Sequence, residues 1–159
     1  MVRISRLTVA VGLCAGMAIG AASAESNSFI GRWHWNAGRS TIPPDEPTPQ
    51  EVTAEITSAD GVRITWTARL TDHRGQKHVE TFDGLSNGSF FPVQGAGAGT
   101  TAAFTLADGV LQSTFRHTSG GSDTQTCTRS TDDRTLTCRG AWSDGKGRTT
   151  AYVDVYDRL

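Results

Sequence analysis

Residues 52–82 read VTAEITSADGVRITWTARLTDHRGQKHVETF, and the alternation in this stretch decides the architecture. Val62, Ile64, Trp66, Ala68 and Leu70 share one face, while Arg63, Thr65, Thr67 and Arg69 share the other. That period of two is the mark of a half-buried β-strand. The strand is bounded by "SADG" at 58–61 and "DHRG" at 72–75, whose Asp and Gly residues tolerate the positive φ that tight hairpins need. Two hairpins in succession predict an antiparallel meander.

The same grammar continues along the chain. "ADG" at 107–109 joins TAAFTL to VLQSTFRH, "SGGS" at 119–122 leads into TQTCTR, and "SDGKG" at 143–147 separates TLTCRGAW from RTTAYVDVY. Upstream, Phe29, Gly31, Trp33 and Trp35 point one way and Arg32, His34 and Asn36 the other, so both tryptophans fall on the core face of the first strand. No stretch keeps a 3.6-residue apolar period, and no internal repeat is evident. About eight to ten consecutive antiparallel strands must hide their edges, and closing the sheet on itself does so. Short, uniform hairpins favour such an up-and-down barrel over a sandwich, which needs longer crossovers.

Two segments break the meander. "TIPPDEPTPQ" (41–50) carries four of the five prolines and lacks the N–H groups a central strand requires, so it is expected as an extended crossing loop. "GAGAGTT" (95–101) reads as a flexible connector. Either segment is placed to cover a cavity mouth or simply to link strands.

The N-terminus reads as an export signal over residues 1–24, followed by one β-barrel domain over 25–159. Arg3 and Arg6 precede an apolar run that ends Ala22-Ser23-Ala24, the layout of a secretory signal peptide. Cleavage leaves 13 basic against 16 acidic residues, a net charge of −3. With no basic stripe, nucleic acid is not expected as a partner. No second run is long enough for a bilayer, so the expectation is a periplasmic or secreted chain without stable membrane insertion.

Cys127 and Cys138 remain after cleavage, and exported thiols in pairs are ordinarily oxidised. Between them "TRSTDDRTLT" forms two β-rich arms around Asp132 and Asp133. A hairpin there sets the cysteines opposite one another, within disulfide reach. No C-x-x-C or matching histidines accompany them, so no metal site is expected. Trp142 shares the face of Leu136 and Cys138 and is expected beside the disulfide.

Catalytic signatures are absent. His78 and Glu80 share a strand face as a His-x-Glu pair, best read as a solvated pair. No G-x-S-x-G elbow occurs, and the Gly95–Gly99 run lacks the helix and lysine of a phosphate cradle. The expectation is therefore no catalytic residue and no cofactor. His117 is the best-placed axial ligand should a haem enter.

Three segments carry a family resemblance: "GRWHWNAGRS" before a proline-rich loop, "FDGLSNGSFFPVQG", and "DDRTLTCRGAWSDGKGRTTAYVDVYDR". Together they resemble a group of small exported bacterial proteins with a G-x-W-x-x-N-x-x-[KR]-S opening, a central D-G…P-V-x-G segment and a terminal D-G-K…V-Y-[DE]-R strand. These are lipocalin-like, calycin-type barrels, mostly without an assigned activity. The resemblance implies that Gly31 and Trp33 close one end of the barrel, with Arg139 or Arg158 packed on the indole. It also implies a small hydrophobic or amphipathic ligand inside, for which Trp35, Trp66, Phe104, Phe115 and His117 are the candidate contacts. The competing expectation is a protein-binding module similar to periplasmic protease inhibitors, acting through Glu25–Ser28 or the proline-rich loop.

Overall fold

The computed structural model describes residues 29–43 and 46–159. The expected export signal (1–24) and the segment Glu25–Ser28 lie outside the described residues. Ten strands follow in chain order: β1 (Gly31–Trp35), β2 (Glu51–Ala59), β3 (Arg63–Thr71), β4 (Lys77–Leu85), β5 (Phe91–Gln94), β6 (Thr101–Ala107), β7 (Val110–Arg116), β8 (Ser122–Arg129), β9 (Thr135–Ser143) and β10 (Thr149–Arg158). Each pairs antiparallel with its neighbours in sequence, and β1 pairs with β10 to close the barrel. The up-and-down meander is thus a closed ten-stranded barrel, with no helix among the described residues.

The turns have the chemistry the sequence announces. Asp108 and Asp133 adopt positive φ without being glycine, and Asp60, Asp72 and Asp144 each accept backbone N–H bonds across their turns. These Asx-type bonds replace ladder bonds lost where the chain reverses. Val62 falls in the β2–β3 turn rather than in the strand, and it is 70% exposed. A bulge between Ile56 and Ser58 lets β2 keep both Ile56 and Ala59 in the core.

Closure depends on very little backbone. β1 and β10 share only three register pairs, Trp33 with Arg158, His34 with Asp157, and Trp35 with Tyr156. Side chains reinforce the seam. Trp33 is fully buried and donates its indole N–H to the Phe29 carbonyl at 2.9 Å. The Arg158 guanidinium lies 4.2 Å from the Trp33 ring centroid, so Arg158 is the cation of the pair, while Arg139 lies exposed on the wall. Gly31 is required at its position: its φ is +145°, and a Cβ there would collide with the Arg158 guanidinium.

The interior is divided between two flanks. From β3 to β7, Trp66, Phe82, Phe91, Phe104 and Phe115 pack as one aromatic cluster with neighbouring centroids 4.6–6.5 Å apart, in the offset and edge-on arrangements that aromatic rings favour. Towards the closed end, Phe29, Ile56, Leu111 and Leu136 complete the core around Trp33. The other flank, β8 to β10 with β1 and β2, is not filled in this way.

Cys127 and Cys138 face one another across β8 and β9 and form a disulfide. Closing a loop of 11-residue separation stabilises by about 3 kcal/mol on the chain-entropy account. Reduction, or the double replacement Cys127→Ser/Cys138→Ser, is therefore expected to lower the thermal midpoint by roughly 10 °C. A midpoint indifferent to reductant would show that the bond does not stabilise the barrel.

Candidate functional site

The unfilled flank arises from a mismatch in strand length. β1 stops at Trp35, whereas its partner β10 runs on towards the open end. The chain after Trp35 is tied down locally: Asn36 donates to Asp157 at 2.7 Å, Arg39 pairs with Asp157 at 2.8 Å, and the Ser40 hydroxyl bridges the Asn36 carbonyl and the Val155 amide. Thr41 then makes one isolated bridge with Val153. Beyond it come prolines, which have no N–H with which to continue the ladder. The chain leaves β10 and, among the described residues, rejoins the ladder where the Gln50 amide bonds the Thr71 carbonyl.

A cavity of about 230 Å³ lies behind this loop. Ile42, Pro43, Pro47 and Pro49 form its outer side, and Trp35, Val52 and Trp142 supply apolar wall from β1, β2 and β9. The polar side comes from β8 and β10, where Asp123, Gln125, Tyr152, Asp154 and Tyr156 face inward, and Glu46 reaches in from the loop. Gly140 makes room for this side, because a Cβ there would overlap the Tyr152 ring.

The donors in the hydrogen bonds among these groups are all neutral side chains. Tyr152 donates its hydroxyl to Asp123 at 2.6 Å, and Gln125 donates to the Tyr152 oxygen at 2.7 Å and to Asp123 at 3.1 Å. Trp35 donates its indole N–H to Asp154 at 2.9 Å. Among the described residues, no lysine, arginine or histidine forms a salt bridge with Asp123, Asp154 or Glu46. Burial raises the pKa of all three carboxyls above the ordinary range. The Asp123 charge raises Glu46 and Asp154 further, while the Tyr152 and Gln125 donors partly offset the rise at Asp123. Burial also drives the Tyr152 and Tyr156 phenols far up, so both remain protonated.

The residues expected from sequence divide between the two flanks. Trp35 stands in the cavity wall. Trp66, Phe104 and Phe115 belong to the aromatic cluster, away from the cavity lining. His117 is exposed at the β7–β8 turn, with Nδ1 3.3 Å from the Thr100 hydroxyl. Trp142 lies four residues beyond Cys138 on the same face, about 13 Å along the strand, so it lines the cavity instead of packing beside the disulfide. His78 and Glu80 lie opposite Leu70 and Ala68, on the inward-facing register, and both are half-buried. They are thus not a fully solvated pair, and His78 approaches Asp72 at 3.3 Å. A wider hollow of about 510 Å³ runs over Arg32, Glu55, Arg69 and Lys77, but it lies mainly on the outer wall, among solvated charges.

Asp123, Gln125, Tyr152, Asp154 and Tyr156 were not singled out by sequence reasoning. Strand parity held the signal: Arg158 and Cys127 face inward, and counting back in twos reaches Tyr156, Asp154 and Tyr152 on one strand and Gln125 and Asp123 on the other.

No protein-family model matches the chain, and no curated protein matches it in sequence. Its fold is similar to those of two solved variants of the fluorescent protein UnaG, one with an asparagine replaced by glutamine and one by alanine. The first has 17% identity and a TM-score of 0.56 over 84% of this chain and 97% of UnaG. The second has 16% identity and a TM-score of 0.55 over 83% and 96%. These neighbours are calycin-like barrels, and the likeness is one of fold.

The raised carboxyl pKa values carry a stability consequence. A carboxyl that holds its proton more tightly when folded makes the native state bind more protons than the unfolded state just above the ordinary value of 3.8. Stability therefore falls as pH rises through the folded pKa and stays lower at neutrality. Asp154→Asn is expected to raise the thermal midpoint by a few degrees at pH 7, with the gain vanishing below the ordinary carboxylate range. Equal midpoints at pH 7 would show that the charge costs the fold nothing.

Proposed function

We propose that this chain is an exported, non-catalytic carrier that takes one small amphipathic molecule into the cavity at the open end of its barrel. The observation that carries the reading is the composition of the cavity wall: indole rings, prolines and Val52 on one side, and a few fixed polar groups on the other. Small-molecule sites are built in this way, with apolar area supplying affinity and sparse polar groups fixing orientation. At about 230 Å³ the space is below the range of about 300–1,000 Å³ typical of drug-sized ligands, so the occupant is a compact molecule. The wall offers carboxylates, phenols and an amide, groups that can fix the orientation of a bound molecule by hydrogen bonds.

The signal-like N-terminus and the disulfide support export. The proline-rich loop is fastened at both ends, by the Thr41–Val153 bridge and the Gln50 amide, and its Ile42, Pro43, Pro47 and Pro49 line the cavity. That arrangement favours a loop that builds a wall over one that inserts into a partner protein.

Native mass spectrometry of the protein from an exporting host, followed by titration with the neutral fluorophore N-phenyl-1-naphthylamine, tests the proposal. The expected result is either a discrete adduct lost on denaturation or saturable dye fluorescence, weakened at least tenfold by Trp142→Ala. A bare mass together with no saturable dye binding would overturn it.

A further inference from the structure

The cavity combines two features that point to the charge of its occupant. Aromatic side chains approach it from three strands: Trp35 from β1, Trp142 from β9, and Tyr152 and Tyr156 from β10. The faces of such rings carry negative quadrupolar potential and attract cations, most strongly where water is excluded. Three carboxyl groups approach as well, Glu46 from the loop, Asp123 from β8 and Asp154 from β10. Like charges gathered in a half-buried space repel one another, and the donors that reach Asp123 and Asp154, which are Tyr152, Gln125 and Trp35, are neutral and leave that charge uncompensated.

Among the described residues that line the cavity, none is basic. Of the basic groups nearby, Arg148 in the β9–β10 turn lies over the Trp142 ring at 5.6 Å and acts on Glu46, while His117 beyond β7 acts on Asp123. Neither lines the cavity. A further polar group is available in the hydroxyl of Tyr156, whose half-buried side chain lines the cavity. It can accept a bond from an N–H donor of an occupant.

A metal ion does not fit this arrangement. Among the described residues, no three His, Cys, Asp or Glu side chains are grouped to hold one. The carboxylates instead surround an aromatic-walled space. Resting on the reading that the cavity holds a small molecule, we propose that its occupant is an organic cation: an amine or quaternary ammonium carried on a compact apolar or aromatic body. The cationic head meets Asp123, Asp154 and the ring faces, and the body packs against Val52 and the prolines.

Three molecules with one shape and different charge test the assignment: phenethylamine, 2-phenylethanol and phenylacetate, titrated against the purified protein at pH 7 by ligand-observed NMR. The amine is expected to bind at least tenfold more tightly than the alcohol, with the carboxylate weakest. In Asp123→Asn/Asp154→Asn, with folding checked by its thermal midpoint, the amine should fall to the affinity of the alcohol while the alcohol itself is unchanged. Asp83→Asn, which removes a carboxylate paired with Arg63, should leave all three unaffected. Alcohol or carboxylate binding as tightly as the amine would overturn the cation assignment and leave the small-molecule reading standing. Displacement of the amine by submillimolar calcium would overturn it in favour of a metal. Failure of all three to bind would also overturn it, and the dye and adduct measurements would then decide the broader reading separately.

Discussion

The contact on which the rest of the structure depends is the stack of Arg158 on Trp33. A meander of ten strands has two free edges, and here they meet through only three register pairs. Exposed edges invite pairing with other chains, so the closure must be held by more than those pairs. Arg158 supplies it. Its guanidinium covers the buried indole at 4.2 Å, donates to the Ile30 carbonyl at 2.9 Å and, through Nε, to the Asp133 carbonyl at 2.7 Å. One side chain from the last strand thus binds the first strand, the segment before it and the β8–β9 turn. The Leu159 amide, bonded to the Arg32 carbonyl, extends the same seam by one residue.

The shortness of the seam also shapes the cavity. Had β1 run the length of β10, the wall would be continuous and the proline-rich segment would have no gap to fill. Instead Asn36, Arg39 and Ser40 fasten the chain to Asp157 and Val155 immediately after Trp35, and the prolines then carry it off the ladder. The opening and closing sequence segments, far apart in the chain, are therefore one structural unit. The residues that pair in it, Gly31, Trp33, Asn36, Arg39 and Ser40 with Val155, Asp157 and Arg158, are nearly the residues on which the resemblance to small exported barrels rests.

This explains what was legible in the sequence and what was not. Strand order, hairpins and the cysteine pairing were legible because they are local: turn chemistry and period-two alternation fix them within a dozen residues. The division of the interior was not. Trp35, Trp66, Phe104 and Phe115 have the same signature in sequence, yet three stack together and one faces a void, which depends on how ten strands come round to meet. Alternation gives the face of Trp142 but not its height in the barrel, because it says nothing of what stands four residues along the strand from Cys138. The inward carboxylates were reachable by counting from Arg158 and Cys127. Alternation is ordinarily read by its apolar members, and Asp154 and Asp123 interrupt that pattern.

Those interruptions mark where the barrel departs from what stability alone would select. A carboxylate facing a barrel interior costs desolvation, and three of them add mutual repulsion. Such groups persist where the remaining structure is stable enough to hold them. Here the aromatic cluster of β3 to β7, on the side away from the cavity, and the Cys127–Cys138 disulfide, between β8 and β9 of the cavity's own flank, provide that surplus. Filling the second flank with leucine in place of Asp123 and Asp154 would satisfy packing and remove the penalty. It would also remove the feature that distinguishes this interior from that of a plain hydrophobic barrel. The polar flank is therefore best understood as half of an interaction whose other half is a positively charged molecule: the charges that destabilise the empty barrel are those that a bound cation would neutralise.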